Sequence, residues 1–331
     1  MMIFFKKCFF IAIMFGISFA FSIGTSTAVE PITMQFTTGT VGGGWYTMTA
    51  GISELIKQHY PEITIKSVPG GGTLNQARVG TGKTLLGVGL GPFMAAAAKG
   101  VEPYDRTYPD LMAIGGSLSK TNLHWVAAKD TGVRTIKELI EKKYPMKITV
   151  NPVGTTDEFS LRKILEFYGY TYKDIKKWGG KVFFAGYSDA VSLLKDRHVD
   201  FGFANIGPPA AYLMDAKMGR PLNLITFPKE IMDHLVKEYG YTPEYIPKSV
   251  YPDMLDEDYP TPGMGSMVIC HRSVPEEVVY AITKTLCENK PRLVEIHASM
   301  KVFDPPNAWR NMPVPLHPGA VSYYKEMGYM K

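Results

Sequence analysis

Apolar and polar positions alternate over residues 32–38, the period of a strand. A glycine-rich turn follows, Gly39-Thr40-Val41-Gly42-Gly43-Gly44-Trp45-Tyr46. The period then lengthens to that of a helix, with Met48, Ile52, Leu55 and Ile56 on one face. Residues 63–68 read as a second strand, followed by the turn Pro69-Gly70-Gly71-Gly72-Thr73 and a short helix. Residues 85–90 read as a third strand, and 92–99 as an alanine-rich helix with proline at its start. The same strand, turn and helix order returns in residues 147–217, and 222–227 reads as a further strand. Alternation of this kind predicts parallel sheets covered by helices, and two such runs predict two α/β lobes. Residues 123–128 and 266–270 read as strands crossing between the lobes. The proline-rich stretch 241–262 reads as a long surface excursion.

Ligands of open α/β sheets sit beyond the carboxyl ends of the strands. Here those ends are the turns at 39–46, 70–75, 152–157 and 205–208, two in each lobe, and a cleft between the lobes would gather them. The turn before the first helix frees backbone N–H groups of Gly43 and Gly44 to meet an anion, with Trp45 as an apolar wall and Tyr46 as a phenol donor. Thr73 and Asn75 stand in the second turn, where Thr73 also suits a plain helix cap. In the second lobe Thr155, Thr156 and Asp157 open a helix, while Asn205 and Gly207 end a strand. Thr155 and Glu158 have capping-box spacing, a purely structural role.

The N-terminus adds a compartment. Lys6 and Lys7 precede an apolar stretch from Cys8 to about Ile23, then the small residues Thr25-Ser26-Thr27-Ala28. This is the pattern of a cleaved export signal, with cleavage expected after Ala28. Net charge is +5, with basic residues spread along the chain, so no nucleic-acid face is expected. Of the three cysteines Cys8 leaves with the signal, and the spacing of Cys270 and Cys287 leaves their pairing open. The seven histidines stand in no HExxH motif, and no GxSxG motif or zinc-type cluster occurs, so neither a catalytic set, a metal nor a cofactor is expected. Residues 77–84 imitate a phosphate loop but run from helix into strand, the wrong order for one.

Together with the glycine turns, three stretches carry a family resemblance. They are Gly202-Phe203-Ala204-Asn205-Ile206-Gly207-Pro208-Pro209-Ala210, Val274-Pro275-Glu276-Glu277-Val278-Val279-Tyr280-Ala281-Ile282-Thr283-Lys284, and Pro315-Leu316-His317-Pro318-Gly319-Ala320-Val321-Ser322-Tyr323-Tyr324-Lys325-Glu326. The chain resembles the TAXI-type substrate-binding proteins of tripartite ATP-independent periplasmic (TRAP) transporters. The resemblance implies a type II periplasmic binding-protein fold with a central ligand cleft. It implies a periplasmic, monomeric receptor that hands a small solute, such as glutamate or a related dicarboxylate, to an ion-driven TRAP permease. On this reading residues 1–28 are the signal peptide, 29–127 with 267–331 the first lobe, 128–262 the second, and 263–266 a hinge region. Relatives often carry a glycine-rich turn followed by Thr-Arg where this chain has Gly154-Thr155-Thr156-Asp157-Glu158. An arginine would clamp a carboxylate, whereas two acids repel one. An amine-bearing, neutral or differently oriented ligand is therefore left open, as are Arg78, Arg162 or Lys99 as charge donors. Two rivals share the fold: a sensor presenting its bound state to a membrane kinase, and an exported enzyme.

Overall fold

The computed structural model describes residues 30–331, so the expected leader lies outside the described residues. The first unit runs β1 (Ile32–Thr37), α1 (Gly44–His59), β2 (Ile63–Val68), α2 (Asn75–Gly80), β3 (Leu86–Leu90), α3 (Gly91–Lys99) and β4 (Leu111–Gly115). The second begins with β5 (Lys120–Ala128), α4 (Ile136–Glu141), β6 (Lys147–Val150), α5 (Thr156–Phe167) and α6 (Tyr172–Lys177). It goes on through β7 (Lys181–Phe184), α7 (Tyr187–Lys195), β8 (Phe201–Ile206), α8 (Ala211–Gly219), β9 (Leu222–Leu224), α9 (Lys229–Tyr239) and β10 (Thr242–Ile246). The long β11 (Tyr259–His271) returns the chain to the first unit, where α10 (Glu276–Glu288), α11 (Lys290–Ile296) and α12 (Pro318–Glu326) pack.

In the first sheet β1 lies between β2 and β3, all parallel, with β11 antiparallel beside β3 and β4 beyond it. In the second, β6 lies between β7 and β8, all parallel, with β5 antiparallel beside β8, and β11 and β10 beyond. The inner strands β3 and β8, and β4 at its sheet's edge, are buried at every position, as strands covered on both faces must be. This is a two-lobed α/β architecture. The C-terminal helix behaves as its sequence suggests: Pro318 and Gly319 open α12, and Tyr323 and Tyr324 are fully buried.

One strand, β11, serves both sheets, pairing with β5 and β10 up to Gly265 and with β3 from Ser266. Beside that change the other crossing passes through Ser119. The Ser119 and Ser266 hydroxyls lie 2.7 Å apart, and the Ser266 N–H donates to the Ser119 carbonyl at 2.8 Å. The pairing of β5 corrects the sequence reading: β5 bonds only to β8, β9 and β11 within the second sheet, so residues 120–127 do not belong to the first lobe. The apolar run 123–128 is a central strand of one sheet, which a crossing strand imitates in composition. The surface excursion is also corrected. Tyr241, Ile246, Tyr251, Met254, Leu255 and Tyr259 are all buried, and β10 is an edge strand, where Pro243 costs no ladder bond. Cys270 and Cys287 are free thiols, the first buried in the strand and the second half-buried on α10.

His124, fully buried on β5, fixes this core electrostatically. Its Nδ1–H donates to the Asn122 carbonyl at 2.9 Å, so Nε2 accepts from the Tyr251 hydroxyl at 3.1 Å, whose oxygen accepts the Ala210 N–H at 2.7 Å. Burial lowers the pKa of the ring from 6.5 to about 4, opposed by the Asn122 bond. The unfolded chain therefore takes up this proton first as pH falls. The stability tied to neutral His124 is present above pH 6.5 and is lost as pH falls toward about 4. Its size is about 3 kcal/mol. Urea unfolding at pH 7 and pH 4.5 should show this loss in the native chain, and His124→Gln should flatten it.

Candidate functional site

The carboxyl ends of β1, β2 and β3 face those of β6, β7 and β8, with the crossing at Ser119–Thr121 forming the back wall. A cavity closes between them. The first lobe supplies Gly39, Thr40, Gly43, Gly44, Trp45 and Met48 from the turn into α1, together with Gly71 and Gly72. The second supplies Thr156, Asp157, Tyr187, Asn205, Ile206 and Gly207. His297 and Ser299 enter from the segment after α11. The centre of a water-sized sphere can move through about 40 Å³ of this space.

Two helices begin at the cavity. Gly43 precedes α1 with no side-chain cap, so the N–H groups of Gly44 and Trp45 have no partner within the helix. The start of α5 lies opposite, where Thr155 accepts the Glu158 N–H at 3.3 Å. Only half of the expected capping box forms, because the Glu158 carboxylate turns to Arg162 at 3.2 Å and accepts from the Tyr172 hydroxyl at 3.1 Å. Four side chains lining the cavity carry a buried polar atom without a partner: Trp45 Nε1, Thr121 Oγ1, Thr156 Oγ1 and Asn205 Oδ1. Buried polar atoms are almost always paired, so these four lack a partner that the rest of the fold supplies.

Asp157 organises the second-lobe wall. Its Oδ1 accepts from the Tyr187 hydroxyl at 2.6 Å, Asn151 Nδ2 at 3.0 Å and the Asn205 N–H at 3.0 Å. Burial raises its pKa, and the bonds from Tyr187, Asn151, Asn205 and its own amide oppose the rise. Burial first, and then the Asp157 charge, push the Tyr187 phenol well above its ordinary range, so it remains a donor. His297 Nδ1 accepts the Ser299 N–H at 3.2 Å, which places the proton of the neutral ring on Nε2. Burial lowers its pKa and favours that neutral form.

Of the residues expected from sequence, Gly43, Gly44, Trp45, Thr156, Asp157, Asn205 and Gly207 line the cavity. Tyr46, Thr73, Asn75 and Thr155 do not. Asn75 is spent on structure: its oxygen accepts from Thr37 Oγ1 at 2.8 Å and the Gly71 N–H at 3.0 Å, and its nitrogen donates to the carbonyls of Thr38 and Val88. Thr73 is buried and offers its carbonyl to Tyr104 at 2.9 Å. Arg78, Arg162 and Lys99 also stay outside the cavity. Arg78 donates to Thr37 Oγ1 and the Pro69 carbonyl, and Arg162 pairs with Glu102, Glu158 and Glu166.

The lobes meet along glycine seams. The Leu74 N–H donates to the Gly154 carbonyl at 3.1 Å, joining the two turns directly. A Cβ on Gly71 would collide with the Gly154 carbonyl oxygen, and one on Gly72 with Thr156 Oγ1. On the opposite rim a Cβ on Gly43 would lie 2.9 Å from the Tyr187 ring. Glu102 of the first lobe pairs with Lys163 on α5 at 2.6 Å, and Phe93 meets Phe159 edge-on at 5.1 Å.

Trp45→Ala removes one wall and one orphan donor. Titration calorimetry should show affinity for the ligand reduced by tenfold or more, on the order of 1.4 kcal/mol, with the far-UV spectrum unchanged. Unchanged affinity would take Trp45 out of the site.

Solved structures of similar fold include MatC from Rhodopseudomonas palustris with bound malate, 16% identical with a TM-score of 0.55, the match covering 90% of this chain and 97% of that one. The periplasmic binding protein BugD is 13% identical with a TM-score of 0.53, over 90% of this chain and 93% of that one. A protein described as a periplasmic transporter is 10% identical with a TM-score of 0.51, over 89% and 92%. At such identities the likeness concerns the fold alone. In sequence, the model of the NMT1-like family matches residues 36–328, and the chain belongs to that family.

Proposed function

We propose that this protein is an exported solute-binding receptor of the TAXI type, which closes on a small organic acid or amino-acid-like ligand and delivers it to a TRAP permease. The observation that carries the reading is the cavity itself, where orphaned polar atoms from both lobes and from the crossing meet. A ligand touching both lobes favours the closed state by the difference in its affinity for the two states, and no more. Support for export comes from the N-terminal pattern and from the periplasmic proteins of the same fold. No helix among the described residues is long and apolar enough to cross a membrane. The protein acts as a monomer and performs no turnover on its ligand.

Uptake of labelled solute by cells with and without the gene tests the reading. The expected result is uptake that needs the protein, collapses with the sodium or proton gradient and survives ATP depletion. Uptake that stops with ATP alone would point to an ATP-driven importer and overturn the permease assignment. Uptake indifferent to the gene would overturn the transport role.

A further inference from the structure

The charges around the cavity narrow the ligand, an inference that rests on the receptor reading. We propose that the ligand is an amino acid with a short uncharged side chain, held as the zwitterion between the helix starts and the Asp157–Asn205 wall. Its ammonium group faces Asp157 and Asn205, and its carboxylate faces the starts of α1 and α5.

Four ionisable side chains line the cavity, Lys120, Asp157, Tyr187 and His297, and burial keeps the Tyr187 phenol protonated and uncharged. The Lys120 ammonium is half exposed and 2.7 Å from Glu244, so its charge is already matched outside. His297 is neutral, with Nδ1 accepting from Ser299. The buried carboxylate of Asp157 is thus the unmatched side-chain charge facing the ligand. All three bonds from neighbouring residues end on its Oδ1, which leaves Oδ2 to meet a ligand. Beside it the Asn205 carboxamide oxygen is buried without a partner, in a residue 8% exposed. Two adjacent acceptors, one of them charged, suit an ammonium group.

The donors gather at the helix starts. Gly44 and Trp45 offer backbone N–H groups, Trp45 offers Nε1–H, and Thr156, 2% exposed, offers an unpartnered hydroxyl. Donors at helix starts favour one carboxylate. A second carboxylate would approach Asp157. At ~5 Å and an effective dielectric constant of ~20, that contact costs on the order of a hundredfold in affinity. Size sets the other limit. A volume of 40 Å³ holds three or four water-sized centres, at about 10–15 Å³ each, which suits glycine, alanine or serine. The unpartnered Thr121 hydroxyl, at the back wall, can answer a serine hydroxyl.

Titration calorimetry on the dialysed full-length mature protein tests the proposal, with glycine, alanine, serine, propionate, glutamate and malate as probes. The expected result is binding of one or more of the three amino acids, with propionate at least tenfold weaker than alanine and malate at least a hundredfold weaker. Asp157→Asn should weaken alanine by tenfold or more and should not weaken propionate. Malate or glutamate binding more tightly than all three amino acids would overturn the proposal and leave the receptor reading standing, as would propionate equal to alanine. No binding of any probe would overturn the proposal. If native mass spectrometry then also found no small molecule on the protein, the receptor reading would fall with it.

Discussion

Gly71→Ala should abolish tight ligand binding while leaving the unliganded fold as stable as before. Gly71 does not occupy the left-handed region, so alanine fits its backbone. What alanine cannot fit is the other lobe. Its Cβ would meet the Gly154 carbonyl oxygen, with the Gly154 carbonyl carbon at 3.0 Å and Thr155 Cα at 3.1 Å. All three are backbone atoms, which cannot swing aside. The collision falls on the second lobe, so on the receptor reading proposed above the change acts on the closed state. A closed state raised by about 3 kcal/mol lowers affinity by more than a hundredfold. Denaturant unfolding of the unliganded variant should stay within about 0.5 kcal/mol of the native chain. Gly72→Ala, which would strike Thr156 Oγ1, should be milder because that side chain can rotate. Unchanged affinity in Gly71→Ala would mean that the seam is not part of the bound state.

The second large effect is on stability. Asp157→Ala should destabilise the unliganded chain by about 3 kcal/mol. The carboxylate it removes accepts from Tyr187, Asn151 and the Asn205 N–H, all in the second lobe. Each donor left unpaired in the interior costs about 1–3 kcal/mol, and the sum is reduced because burying the charge was itself unfavourable. Asp157→Asn keeps an acceptor at the same place and should cost about 1 kcal/mol or less. The raised pKa of Asp157 gives a second signature. An acid with a raised folded pKa favours the fold in its protonated form, so its contribution is present below the unfolded pKa and declines as pH rises through the folded one. Urea midpoints of the native chain and the two variants across pH 4 to 7 measure both effects, the pH signature appearing only in the native chain. An alanine variant as stable as the native chain would remove Asp157 from the centre of this wall.

Much of this site was readable because it follows a rule: a glycine turn between strand and helix puts backbone donors at a sheet end. The rule led directly to Gly43, Gly44 and Trp45, and to Thr156 and Asp157 in the other lobe. Applied to Gly186-Tyr187, which follows β7 and opens α7, it would also have found Tyr187. It failed at Asn75. A six-residue helix has too few turns to show which side faces inward, and Asn75 faces the buried strand ends. His297 and Ser299 carried no signal, since they arrive from a C-terminal segment that packing against α1, α10 and β5 brings to the cleft. Lys120 and Thr121 were hidden for another reason. The apolar middle of β5 drew attention, whereas its polar first residues form the back wall. In the stretch 241–262, prolines suggested surface, but its aromatic residues Tyr241, Tyr251 and Tyr259 are core.

The most direct test of a solute held between two closing lobes is native mass spectrometry of the native chain and Gly71→Ala, side by side. Both proteins would be exposed to the small-molecule fraction of the producing cells and then exchanged into volatile buffer. The native chain should carry one small molecule of defined mass, released on unfolding, and the variant should carry none. The same molecule retained equally by both, or by neither, would contradict the account.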